Sequence, residues 1–160
     1  LVKVSIFNLL DHSKKINNNL ENSSILDLFS GSGSFGLECL SRGCKTVYFF
    51  DNYIEAIKTL EKNLSLFKNL KNYKIFKSDC FKFFNSNAKV NKKFDIIFLD
   101  PPYKEKRINQ LIEKIIESKI LNHDGIMIIH RHKKDKIEIT NKIKIFDVRN
   151  YGLSKVYFAN

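Results

Sequence analysis

From residue 24 onward, short apolar runs alternate with longer segments whose apolar residues recur at helical spacing. That alternation restricts the fold more than any other feature of the chain. Ser24–Ser30 (SILDLFS) is an apolar run ending in glycines and reads as a strand. Phe35–Arg42 reads as a helix that Gly43 stops. Thr46–Phe50 is β-branched and aromatic, a second strand. Tyr53–Lys68 carries apolar side chains at 53, 54, 57, 60, 64 and 67, one buried helical stripe. Tyr73–Lys77 is a third strand and Phe81–Phe84 a short helix. Phe94–Leu99 (FDIIFL) is apolar almost throughout, as a strand covered on both faces must be. After Pro101-Pro102 a helical pattern returns over 105–120, at Ile108, Leu111, Ile112, Ile115 and Ile116. Gly125–His130 is a fifth strand. Lys142–Arg149 and Leu153–Ala159, joined by Asn150-Tyr151-Gly152, read as a closing hairpin. The expected fold is α/β: a single doubly wound, mostly parallel sheet with a C-terminal antiparallel hairpin strand.

At 160 residues the chain has the size of one domain, taken as 1–160. Within it, residues 1–23 form an N-terminal helix and loop. The helix, Val2–Asp11, places Val2, Ile6, Leu9 and Leu10 on one face; Lys14–Ser24, with Asn17–Asn19, is a loop. The first residue is Leu, so the natural N-terminus is expected to lie upstream. Apolar runs such as Ile96–Leu99 and Ile126–Ile129 are too short to span a membrane, and no targeting segment is visible. Cys39, Cys44 and Cys80 are odd in number and lack CxxC spacing, which disfavours disulfides and zinc and suits a reducing cytoplasm. His130 and His132 read as a strand end, so no metal is expected. Lys plus Arg number 28 against 17 Asp plus Glu, a net charge of +11. A nucleic-acid partner fits this balance; so does a lysine-rich coding bias that merely coats the surface. The excess is mostly Lys, a point charge suited to phosphate rather than to bidentate base reading.

In a sheet of this kind ligands bind beyond the C-terminal ends of the strands. There the first strand is followed by Gly31-Ser32-Gly33-Ser34-Phe35-Gly36, with Asp27 upstream; the second by Asp51; the third by Asp79; the fourth by Asp100-Pro101-Pro102-Tyr103. Four successive strands thus deliver a carboxylate to one edge, an acidic pocket on a basic body. G-x-G-x-x-G between a strand and a helix makes a tight turn with close backbone approach and fits a cofactor site. Asp51 and Asp79 precede helices, and capping explains them as well as ligand binding does. Asp27 either meets the ligand or orients the glycine loop. Asp51 lies 20 residues after Gly31, the spacing of a nicotinamide dinucleotide site. That fold, however, needs a second mononucleotide half. S-adenosylmethionine needs only one: Asp51 for the ribose, Asp79 for the adenine edge, the region of Asp27 and Gly31 for the ammonium. With the neighbours Ser32, Gly33, Asn52 and Cys80 these form the expected cofactor-binding set. Asp100–Tyr103 sets rigid acceptors beside an aromatic ring, a combination suited to a flat group bearing an NH2.

DLFSGSGSFGLECLSRG (Asp27–Gly43), Asp51, Asp79 and FDIIFLDPPY (Phe94–Tyr103) together resemble the class I methyltransferases, with their Rossmann-like fold. More closely, the chain resembles the RsmD family, which methylates the exocyclic N2 of one guanine in 16S ribosomal RNA. Val4–Leu10 (VSIFNLL) resembles that family's N-terminal helix, so the likeness runs through nearly the whole chain. The resemblance implies that Gly31, Gly33, Asp51 and Asp79 hold S-adenosylmethionine, and that Asp100, Pro101 and Tyr103, with Pro102, hold the base. Two departures stand out. The family carries a further basic segment upstream of Val2, and its fifth strand commonly ends near a carboxylate where this chain has His130.

The expected activity is transfer of a methyl group to guanine N2 of the small ribosomal subunit by a cytoplasmic monomer. Lys104, Lys106 and Arg107 beside the base site, and Lys133 and Lys134 (with Lys136) after the fifth strand, are expected to contact phosphates. Two alternatives stay open: another base-amino methyltransferase, such as adenine-N6, and a non-catalytic RNA-binding or assembly module of the same fold.

Overall fold

The computed structural model describes residues 2–12, 20–67, 69–86, 90–138 and 141–160. Most of the loop expected over Lys14–Ser24, Asn17–Asn19 included, lies outside the described residues. The strands are β1 (Ser24–Leu28), β2 (Thr46–Asp51), β3 (Tyr73–Lys77), β4 (Phe94–Leu99), β5 (Leu121–His132), β6 (Ile145–Tyr151) and β7 (Ser154–Ala159). The helices are α1 (Val2–His12), α2 (Ser34–Ser41), α3 (Ile54–Ser65), α4 (Cys80–Asn85) and α5 (Ile108–Glu117). One seven-stranded sheet has the order β3-β2-β1-β4-β5-β7-β6. β1 to β5 pair in parallel, while β7 runs antiparallel to both β5 and β6, as the hairpin expectation required.

Side chains alternate between the two faces of a strand, and the core divides accordingly. Ile25, Val47, Phe49, Ile96, Phe98, Ile126 and Ile128 face one way and pack with buried residues of α1, α2 and α3. Leu26, Leu28, Phe50, Ile97, Leu99, Met127 and Ile129 face the other way, under α4 and α5. Burial on both faces is why FDIIFL shows no alternation of apolar and polar residues. α1 is held through aromatic rings. Phe7 stacks on Phe35 with centroids 5.2 Å apart, and Phe35 stacks on Phe98 at 4.0 Å. Phe7 is fully buried although the expected face omitted it; Val2 and Leu9 are only partly buried.

Boundaries moved where tertiary contacts decide them. β5 reaches back to Leu121, four residues before the expected start, because Leu121 pairs with Phe94 across a register shift. α3 stops at Ser65, short of Lys68, in a tight turn where Leu66 and Phe67 amides bond to Asn63 and Leu64 carbonyls. α5 starts at Ile108, because the Glu105 carboxylate captures the Arg107 amide and side chain just before it.

Phe35 is the wedge between α1, the glycine loop and the sheet. Phe35→Ala is expected to cost about 3–5 kcal/mol, read as a lower midpoint in denaturant unfolding; a loss under about 1 kcal/mol would contradict this packing.

Candidate active site

The chain runs from β1 outward to β3, then returns to place β4 on the other side of β1. The loops after β1 and β4 therefore diverge from adjacent strands and open a crevice, the usual place for a ligand in an open α/β sheet. Leu28 and Leu99 are register partners, and the Asp100 amide reaches the Leu28 carbonyl at 3.4 Å.

The glycine loop is held by carboxylates. Asp51, at the end of β2, accepts the Gly31 amide on Oδ2 and the Tyr53 amide on Oδ1, both at 2.8 Å. It is therefore a loop clamp, and the residue in the cap position of α3 is Tyr53. Gly31 has φ +56° and nothing within 4 Å of where a Cβ would stand, so the backbone lies open there. Gly33 serves packing: φ is +81°, and a Cβ would come within 2.2 Å of Leu60. Ser32 is exposed and borders a separate shallow hollow with Leu37 and Asn63, outside the crevice.

Asp27 lies beneath this loop, 1% exposed, and its Oδ2 accepts the Gly36 amide at 3.0 Å. It orients the loop, one of its two expected roles. Burial pushes its carboxyl up to about 8; the Gly36 hydrogen bond opposes this, while the charges of Asp100 and Asp51 add to it. Two of the other expected carboxylates, Asp51 and Asp100, thus act on Asp27.

Asp79 is the N-cap of α4, accepting the Phe81 and Lys82 amides on the same oxygen, Oδ1. Here the capping role is real, and Asp79 also lines a slot of about 140 Å³ with Phe29, Asn52, Cys80, Phe81 and Pro102. Cys80 is buried with its thiol pushed up to about 12, chiefly by burial, so it is a neutral wall of the slot. Phe29 and Phe81 stand 5.8 Å apart at the slot. Phe29 takes a left-handed backbone, φ 60°, which costs a non-glycine residue free energy. Arg107, expected at phosphate, is held by both Glu105 oxygens (2.9 and 2.7 Å) and lies 4.0 Å over the Phe81 ring.

Beyond β4, Pro101 is buried while Asp100, Pro102 and Tyr103 are exposed. Arg131, only 3% exposed, fixes this loop from behind. It donates to the Pro102 carbonyl (3.2 Å) and the Glu105 carbonyl (2.8 Å) and pairs with Asp135 at 2.8 Å. Sequence reasoning missed Arg131 and Phe29. A lone arginine inside a strand otherwise rich in Ile was the only signal for the first. Tyr103 stands edge-on to His132 at 5.7 Å, and the exposed Lys133-Lys134 turn follows immediately. Lys104 and Lys106 are exposed beside Tyr103. β5 runs to His132, two residues past the expected end at His130, and among the described residues no cluster suited to a metal occurs.

Residues 1–160 match the family described as Conserved hypothetical protein 95. The chain belongs to this family. It is thus an RsmD-type chain, as its motifs implied. It is 33% identical over 156 residues to YlbH, a candidate rRNA methyltransferase of Bacillus subtilis (strain 168), covering 97% of this chain and 82% of that protein. It is 28% identical over 138 residues to ribosomal RNA small subunit methyltransferase D of Buchnera aphidicola subsp. Acyrthosiphon pisum (strain APS), with 79% and 71% coverage. Among solved structures, a candidate methyltransferase of Escherichia coli, yhhF, superposes with TM-score 0.85 at 21% identity, over 99% of this chain and 83% of that one. This last likeness concerns the fold.

Asp27 makes a pH prediction for the RsmD-type chain. Its proton is retained in the folded protein up to about 8 but released in the unfolded chain above about 4. Folding stability from this group therefore falls as pH rises through that window and is flat above it. Asp27→Asn removes the effect, so its stability relative to the parent should climb by several kcal/mol, as an order of magnitude, between pH 4 and 8. A difference independent of pH, measured by urea unfolding, would contradict a buried neutral carboxyl.

Proposed function

We propose that this protein transfers a methyl group from S-adenosylmethionine to the N2 amine of a guanine in 16S ribosomal RNA, acting as a cytoplasmic monomer on the small ribosomal subunit. As an RsmD-type family member it is an S-adenosylmethionine-dependent RNA methyltransferase. The guanine amine and the small subunit are the finer reading, and the name of the Buchnera relative supports the subunit. The observation that carries the proposal is the juxtaposition of Asp100-Pro101 with the glycine loop on adjacent strands of one crevice.

The residues fit the cofactor. Ser30 Oγ, in the loop, is buried without a hydrogen-bond partner. The backbone at Gly31 is open, and the slot lined by Phe29, Asn52, Cys80 and Phe81 offers apolar surface to an adenine beside the Asp79 carboxylate. Gly31, Asp51, Asn52, Asp79 and Cys80 would hold it, with Asp27, Ser32 and Gly33 acting through the loop. When bound, S-adenosylmethionine supplies an electrophilic methyl carbon on a positively charged sulfur. The surrounding carboxylates are a favourable environment for that charge.

The protein's part is alignment. A target base inside a helix is out of reach and must be flipped out. Tyr103, 58% exposed, offers its ring for stacking. The Asp100 carboxylate and the Pro101 carbonyl accept hydrogen bonds from the base NH2. An exocyclic amine is a poor nucleophile because its lone pair is delocalised into the ring. Fixed acceptors favour the pyramidal form and aim the lone pair across the crevice. Alignment of this kind is worth as much as ~7–11 kcal/mol. Lys104, Lys106, Lys133 and Lys134 flank Tyr103 and would hold phosphates on either side.

Incubating small ribosomal subunits lacking the modification with methyl-labelled S-adenosylmethionine should yield N2-methylguanosine on nucleoside digestion; label in N6-methyladenosine, or none, would refute the assignment. Asp100→Ala should lower turnover at least about a hundredfold while calorimetric cofactor affinity stays near the parent's. Lys104→Glu with Lys106→Glu should weaken RNA binding and lower the slope of log K against log salt by about one to two. An unchanged slope would remove these lysines from the interface.

A further inference from the structure

His130 stands in β5 at the edge of the crevice, next to the diproline loop. Leu99 and Ile129 are register partners on adjacent parallel strands, so the next residue of each, Asp100 and His130, emerge side by side. His130 Nδ1 lies 2.7 Å from Asp100 Oδ1. The imidazole is 14% exposed and the Asp100 side chain 47%. The other ring nitrogen, Nε2, is buried with no hydrogen-bond partner. A carboxylate can only accept, so the ring donates from Nδ1, and Nε2 is left without a partner. Burying a ring nitrogen unpaired is unfavourable. A histidine serving only as strand filler would be better replaced by an apolar residue. What the ring contributes is its single donated hydrogen bond.

We propose that His130 is a positioning residue for methyl transfer. By occupying Oδ1 it stops the Asp100 carboxylate from rotating and leaves Oδ2 as the acceptor for the base amine. Repulsion between Asp100 and Asp27 raises the Asp27 carboxyl, so Asp27 is no ionic partner that could hold Asp100 in place. The His130 ring also stands edge-on to Tyr103, centroids 6.5 Å apart, so one side chain braces both the acceptor and the stacking ring. The inference rests on the amine-transfer reading above and adds a residue to it.

The test compares His130→Ala, His130→Asn and His130→Gln in methyl transfer to unmodified small ribosomal subunits, with kcat and KM separated. The Asn amide nitrogen stands where Nδ1 stood and can donate to Oδ1; the Gln amide reaches the Nε2 position and cannot. His130→Ala and His130→Gln should lose about tenfold to a hundredfold in kcat, with KM for both substrates near the parent's, and His130→Asn should recover most of the loss. Should the Ala variant not fold, the Asn and Gln pair carries the comparison. Parent-like kcat in His130→Gln, equal impairment of Asn and Gln, or a loss confined to KM would overturn the positioning role while leaving the function intact. Full activity in Asp100→Ala would instead sink the transfer reading, and this inference with it.

Discussion

β1 and β4 lie side by side, and the sheet is built outward from that pair in both directions. Each is buried on both faces, which aligns the strands in parallel and forces the connecting helices to opposite sides. A consequence is that every loop leaving a C-terminal end arrives at the same edge. The glycine loop and the diproline loop meet there with no dedicated element to bring them together. Hydrophobic burial of Ile25, Leu26, Ile96 and Ile97 thus places the chemistry, although none of these side chains touches it.

Electrostatics then shape the crevice. Asp51 ties the Gly31 amide of the loop to the Tyr53 amide at the start of α3, and Asp27 supports the loop from below. Asp100 adds a third carboxylate within electrostatic reach of Asp27, against a body of net charge +11. Burial, with a smaller contribution from repulsion by Asp100 and Asp51, keeps the Asp27 proton in place to about 8. A cationic ligand entering the crevice would relieve part of that repulsion, whereas phosphates are drawn to the lysines on the rim. Behind the diproline loop, Arg131 fills a role no lysine could take over: its planar fork reaches two carbonyls and a carboxylate at once.

Much of this was legible in the sequence, for a physical reason. β3 and β4 were read with the correct limits because their runs are bounded by breaks in apolar pattern. The acidic edge followed from topology alone, since strand ends and ligand sites coincide in open sheets. Non-local contacts were not legible. The early start of β5 depends on Leu121 finding Phe94. The capture of Arg107 by Glu105 and Phe81 depends on how α4 packs near α5. Asp51 and Asp79 look alike in sequence, each at a strand end before a helix. Their separation into loop clamp and helix cap is a matter of which amides lie within 3 Å.

A crystal structure with S-adenosylhomocysteine bound is the most direct measurement. The adenine should lie in the slot lined by Asn52, Asp79, Cys80 and Phe81, the ribose by Asp51, and the sulfur should look across the crevice toward Asp100 and Pro101. Ligand bound elsewhere, or sulfur turned away from the diproline loop, would contradict the account.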